Sequence, residues 1–179
     1  MNSPSEDLLT RADAACWPRR RLLGAAALAP LFCWANPHAM HATPNSSATS
    51  SVADFDETTW AQLLQGGPRP AAYVFTTTYC STCPDAFDKL QAFIKASRQK
   101  VELAAVVMDV SAERVLAHAH HYAGATKYFA FDGFAPAIRQ SVDPKWPNVT
   151  PYVVLLDRNG AVQRTIGPPA PAMLKKWLA

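Results

Sequence analysis

Net charge is scarce in this chain. Seventeen Lys and Arg stand against 14 Asp and Glu over 179 residues, a formal +3. The basic residues after residue 60 are scattered, with no basic groove interleaved with aromatics, which argues against nucleic acid as a partner. Long apolar runs are missing too. The stretch Leu22 to Ala35 falls short of the about 20 residues a stable membrane span needs. No internal repeat is present, which excludes a solenoid or an array. Cysteine is limited to Cys16, Cys33, Cys80 and Cys83, too few for a fold stapled by several disulfides. What is abundant is apolar side chain, 49% of residues, ample for one packed domain with an appendage.

The appendage lies at the N-terminus. Arg19-Arg20-Arg21-Leu22-Leu23 opens the apolar stretch, and small residues follow it. Basic residues, a short apolar region and small residues form the order of an export signal. The arginine pair before two leucines resembles the twin-arginine address, and Gly24 to Ala27 suits that class. Glu6, Asp7 and Asp13 are compatible with a long basic region before the signal. Residues 1–42 are therefore read as the signal and the periplasm as the destination, with an uncleaved anchor as the alternative. Ala39 and Ala42 are candidate last signal residues, although Pro37 and Met40 stand where a small residue is usual. Phe32 before Cys33 is too large for a lipidation site. Pro37 to Ala53, rich in Ser, Ala, Thr and Pro, reads as a flexible linker, residues 43–53 of it following the signal. Removal of the signal leaves Cys80 and Cys83 as the sole thiols.

Residues 54–179 carry the domain. A helix is expected from Asp54, with Trp60, Leu63 and Leu64 on one side and Gly66-Gly67-Pro68 ending it. Ala71 to Thr76 is a buried strand, followed by a helix from about Cys80 to Gln99. Val101 to Val110 is nearly all apolar, as befits a central parallel strand. A helix from Ser111 to about Tyr122 follows; Phe129 to Val142 reads as a short strand or loop and then a helix around Ala135 to Gln140. Pro151 to Asp157 and Ala161 to Ile166 are strands joined by the Asp157-Arg-Asn-Gly160 turn. A last helix carries Met173, Leu174, Trp177 and Leu178. The alternation predicts an α/β fold, a mixed central sheet with helices on both faces.

Chemistry concentrates at Cys80-Ser-Thr-Cys83-Pro84. A strand before it and a helix after it put Cys80 at a helix N-terminus, where free N–H groups and the helix dipole favour a thiolate. A second thiol so close supplies what thiol–disulfide exchange requires. A disulfide across so short a loop removes little unfolded-state entropy, so chemistry explains the pair better than stapling does.

With Val149-Thr150-Pro151-Tyr-Val-Val-Leu-Leu-Asp-Arg-Asn-Gly160 downstream, Asp54 to Leu178 resembles the thioredoxin superfamily, in particular its exported TlpA/ResA-like thiol–disulfide oxidoreductases. The resemblance implies a thioredoxin-like fold with an added helix–strand segment between Ser111 and Asn148, before a cis-proline at Thr150–Pro151. It implies Cys80 as the attacking and Cys83 as the resolving thiol, with Tyr79, Thr150 and Pro151 contacting substrate. It further implies partner proteins bearing thiols or disulfides, a membrane electron donor, and no cofactor or metal. Tyr79 stands where the family usually has Trp, and Ser81-Thr82 replaces its proline-containing pairs. Neither Ser81 nor Thr82 supplies charge. Glu102 and Asp109 are the candidates for a proton-accepting carboxylate, though capping or solvent exposure explains both more simply.

Three other readings use the same fold. Copper chaperones of the Sco type separate their cysteines by three residues, and place a histidine where this chain has Asn148-Val-Thr-Pro151. Thr77 stands three residues before Cys80, as in a thiol peroxidase, but Tyr73 occupies the position of the expected proline. A redox-inert peptide binder leaves an intact cysteine pair unexplained. The His118-Ala-His120-His121 cluster reads as a solvated helix face rather than a metal site, and Tyr122, Tyr128, Phe129, Phe131, Phe134 and Trp146 as core and groove lining.

Overall fold

A computed structural model describes residues 51–179. The expected signal and all of the linker before Ser51 lie outside the described residues. Strand β1 (Val52–Phe55) and helix α1 (Thr59–Gly66) come first, then β2 (Ala71–Thr76) and α2 (Cys83–Ser97). Strand β3 (Glu102–Val107) leads to α3 (Ala112–His118), a 3₁₀ turn (Ala119–Tyr122), β4 (Lys127–Phe131) and α4 (Ala135–Val142). The hairpin β5 (Tyr152–Leu156) and β6 (Val162–Ile166) precedes α5 (Pro171–Trp177).

The six strands form one sheet in the order β1-β4-β3-β2-β5-β6. β1, β4, β3 and β2 run parallel, whereas β5 is antiparallel to both β2 and β6. All six residues of β2 are buried, as expected of a parallel strand covered on both faces. Alternation divides them. Ala72 and Val74 pack with Phe87 and Leu90 of α2, Val115 of α3 and Trp177 of α5. Tyr73 and Phe75 pack on the opposite face with Trp60 of α1 and Ile138 and Val142 of α4. This is the expected mixed sheet between two helical layers. The fold is thioredoxin-like, and α3, β4 and α4 lie between β3 and the hairpin, the stretch in which an added helix–strand segment was expected.

Several boundaries differ from the sequence reading. The chain enters the sheet at Val52, inside the stretch read as linker, and α1 starts at Thr59 rather than Asp54. β1 has only four residues, too few for periodicity to show, and it forms because β4 offers it a paired edge. Asp56 then ends the strand: its Oδ1 accepts both the backbone N–H and the hydroxyl of Thr58 and of Thr59, each at 2.8 Å. These bonds hold its carboxyl down at about 2. The ambiguous Phe129 region resolves into β4 and α4, with Phe129 buried against Phe55. β3 stops at Val107, and the helix expected to reach Tyr122 tightens to 3₁₀ geometry after His118. Among the described residues no helix is long and apolar enough to cross a membrane.

Candidate active site

The centre grows from the C-terminal end of β2. The α-helix itself begins at Cys83, three residues later than the sequence pattern predicts. Cys80 sits on the turn before it: the Cys80 N–H donates to the Thr77 carbonyl at 3.2 Å, and the Cys83 N–H donates to the Cys80 carbonyl at 3.3 Å. Pro84 occupies the first helical turn, where its missing N–H costs nothing. Ala86 N–H, donating to Thr82 at 3.2 Å, is the first of the regular helical bonds.

Cys80 and Cys83 form a disulfide, with an S–S distance of 1.99 Å and Cα atoms 5.5 Å apart. Their environments differ sharply. Cys83 is fully buried and packs in the core with Phe87 and Leu90, whereas Cys80 is half-buried at the surface. Tyr79 beside it is 81% exposed. Cys80 Sγ lies 3.9 Å from the Thr82 hydroxyl, a weak contact to the outer sulfur.

Two long-range anchors hold the cysteine loop. The Asp109 carboxylate, just past β3, accepts the Thr78 N–H at 2.9 and 3.0 Å and the Thr78 hydroxyl at 2.6 Å. Tyr122 Oη and Thr76 Oγ1 are 2.6 Å apart in the interior. Burial pushes the Tyr122 hydroxyl up, the Thr76 bond partly opposes this, and the nearby Asp109 charge adds to it. Asp109 therefore serves as a loop anchor. Glu102 sits at the other end of the sheet, paired with Ala71 at the start of β2. Thr77 is nine-tenths buried, and its hydroxyl has no hydrogen-bond partner among the described residues.

Thr150–Pro151 is cis, as the resemblance implied, and so is Arg69–Pro70, which the sequence reading did not single out. Phe75 pairs with Tyr152, so Pro151 lies level with Thr76 at the end of the sheet where the cysteine loop departs. A network braces this segment. Trp146 stacks on Tyr152 with centroids 4.2 Å apart, and its Nε1–H donates to the Val149 carbonyl at 3.2 Å. The Tyr152 hydroxyl donates to Asp143, which also lies 3.8 Å from Arg164. Burial pushes the Asp143 carboxyl up, but the Tyr152 hydroxyl, the Lys145 N–H and the Arg164 charge outweigh it and leave it below its ordinary range.

A cleft of about 330 Å³ opens beside Cys80. Tyr79 and Cys80 line it; Cys83, Thr150 and Pro151 do not. His118 and His121 also line it, so two members of the cluster read as a solvated face stand at the candidate centre. Helical spacing marks them as neighbours, but only the packing of the added segment turns them towards this loop. The aromatics divide too: Tyr122, Tyr128, Phe129 and Trp146 are buried, while Phe134 is 68% exposed. Among the described residues, no group of three His, Cys, Asp or Glu is arranged to hold a metal ion.

No protein-family model matches the chain, and no curated protein matches it. Solved structures do. StoA from Bacillus subtilis is 20% identical, with a TM-score of 0.42, covering 61% of this chain and 81% of that one. A secreted Mycobacterium tuberculosis disulfide oxidoreductase homologous to Escherichia coli DsbE is 17% identical, with a TM-score of 0.43, covering 63% and 86%. DsbF of M. tuberculosis, in mixed oxidised and reduced forms, is 20% identical, with a TM-score of 0.45, covering 60% and 77%. At these identities no residue role is carried over from them.

Proposed function

We propose that this protein is an exported thiol–disulfide oxidoreductase that exchanges disulfides with partner proteins, with Cys80 as the entry sulfur. The observation that carries the reading is the asymmetry of the pair: Cys80 is half-buried at a cleft and Cys83 is fully buried beneath it. In the reduced protein the Cys80 thiolate attacks a partner disulfide. One partner sulfur leaves as a thiolate and the other joins Cys80 in a mixed disulfide. Cys83 then loses its proton and attacks Cys80 Sγ, which restores the Cys80–Cys83 disulfide and releases the partner as a dithiol. Two electrons pass to the partner, and the reverse sequence oxidises one.

Tyr79 flanks the entry sulfur on the solvent side, and the Thr150–Pro151 segment at the end of β2 is the surface on which a partner chain pairs. Partners are proteins bearing thiols or disulfides, with a membrane electron donor to recycle the centre. Export rests on Arg19-Arg20-Arg21 and the apolar stretch behind them.

The test is a trapping experiment. Cys83→Ser accumulates a mixed disulfide through Cys80 with an oxidised protein substrate, and Cys80→Ser accumulates none. Equal trapping by both variants, or trapping through Cys83 alone, overturns the assignment. Export is tested separately: replacing Arg19, Arg20 and Arg21 with Lys leaves the protein in the cytoplasm if the signal is of the twin-arginine type, and unchanged export refutes it.

A further inference from the structure

The centre lacks an evident source of positive charge. A reactive cysteine needs one, because the thiolate is the nucleophile and a free thiol is mostly protonated at neutral pH. Ser81 and Thr82 are uncharged, and Cys80 stands one turn outside α2, away from the full effect of the helix terminus.

The cleft supplies what the loop does not. Its wall opposite the loop comes from the end of α3 and the following 3₁₀ turn, through His118, His121 and Tyr122. No Lys, Arg, Asp or Glu lines it, so His118 and His121 are the lining side chains able to carry positive charge near neutral pH. Their rings stack 6.2 Å apart at 25°. We propose that His118 and His121 are the electrostatic partners of Cys80: the pair holds a shared positive charge that stabilises the thiolate, and the thiolate in turn holds the proton on the pair.

The surrounding charges do not duplicate this role. Asp109 is engaged with Thr78, and on α2 Asp85 and Lys89 form an ion pair at 2.7 Å. Asp88 on α2 and Glu113 and Arg114 on α3 lie outside the cleft lining. Asp54 of β1 and Lys127 of β4 line a different cleft with α1. His120 lies 3.8 Å from His121, with its Nδ1 3.0 Å from the Ala117 carbonyl, and does not line the cleft. The His118 and His121 rings, with centroids 6.2 Å apart, repel when both are charged, so a single shared positive charge is the relevant one.

The coupling is reciprocal. If the charged pair lowers the Cys80 pKa, the thiolate raises the imidazole midpoint by the same amount. An opposite charge within about 4–6 Å typically moves a group by about one unit or more. Reduction of the disulfide therefore takes up an additional proton in the window between the oxidised-state and reduced-state histidine midpoints.

The proposal rests on Cys80 being the exchanging thiol, and its test needs no partner. Proton NMR titration of the histidines is run on the full chain, with Cys16 and Cys33 replaced by Ser, in the oxidised and reduced states. A midpoint of His118 or His121 about one unit higher on reduction is the expected result. In parallel, the thiolate absorbance of Cys83→Ser is titrated with and without His118→Gln and His121→Gln. The double replacement raises the Cys80 pKa by about one unit, a tenfold smaller thiolate fraction below the midpoint, while His120→Gln leaves it in place. Histidine midpoints equal in the two redox states overturn the proposal, and so does a Cys80 pKa indifferent to both replacements in a variant whose circular dichroism is native. The wild-type titration decides the matter if the variants do not fold. Loss of this coupling with trapping at Cys80 intact removes only the histidine role; coupling without trapping removes the exchange function instead.

Discussion

Replacing Asp109 with Ala removes the acceptor that ties the cysteine loop to the end of β3. Three contacts go at once: two from the Thr78 N–H, at 2.9 and 3.0 Å, and one from its hydroxyl, at 2.6 Å. A hydrogen bond to a charged group contributes about 1.5–3 kcal/mol when sheltered. Asp109 and Thr78 are both exposed, so water recovers much of that and a net loss of about 1.4 kcal/mol is the reasonable scale. Because the contacts bind one loop rather than the core, the loss appears as local opening. Amide hydrogen exchange at Thr78 should accelerate about tenfold, the factor that 1.4 kcal/mol gives, with core amides of β2 slowed or hastened far less. Thr78→Ala keeps the backbone N–H and loses only the hydroxyl bond, so it should produce a smaller acceleration at the same amide. The double variant should be no worse than Asp109→Ala alone, since the hydroxyl has then lost its acceptor already. Unchanged exchange at Thr78 in Asp109→Ala would refute the anchoring role. A loss spread evenly over the core amides would refute its local character.

Tyr122→Phe deletes one partner of the buried 2.6 Å contact with Thr76, and should lower stability by about 1 kcal/mol, or the melting temperature by about 3–5 °C; calorimetry on both proteins checks it. Trp177→Phe removes the Nε1–H that donates to the Leu156 carbonyl at 2.9 Å in the interior, a loss of about 0.5–1.5 kcal/mol by urea titration. Asp143 gives an acid limb to the stability profile. Its folded-state pKa is depressed, so its contribution is present above the ordinary carboxylate pKa and fades as pH falls through the lower folded value. Asp143→Asn should flatten that limb in unfolding measured across acidic pH, and an unaltered limb would count against the Tyr152–Asp143–Arg164 network.

Much of the sheet could be read from residue order, for reasons visible in single elements. Ala71 to Phe75 is apolar, with Pro70 before it and the cysteine loop after Thr76, and the observed bounds of the strand match the expected ones. The Asp157-Arg-Asn-Gly160 turn is local as well. The Asp157 carboxylate accepts the Asn159 and Ala161 N–H groups at 2.8 Å each, and Gly160 takes a positive φ of 87°. Elements that depend on a distant partner were harder to read. β1 is four residues long and pairs with β4, which begins 75 positions beyond Val52.

The same division runs through the candidate centre. Spacing alone determined that Cys80 and Cys83 can meet, because a turn of chain brings sulfurs three positions apart within bonding reach, and the flanking strand and helix follow from short-range patterns. Which sulfur faces a partner was decided by packing: α2 rotates Cys83 into the core against Phe87 and leaves Cys80 at the cleft. Tertiary structure also assigned Asp109 to Thr78 across 31 positions, and brought His118 and His121 to the wall facing the cysteine loop. Periodicity reports which face of a helix is apolar, whereas the neighbour of its polar face depends on where the whole added segment packs.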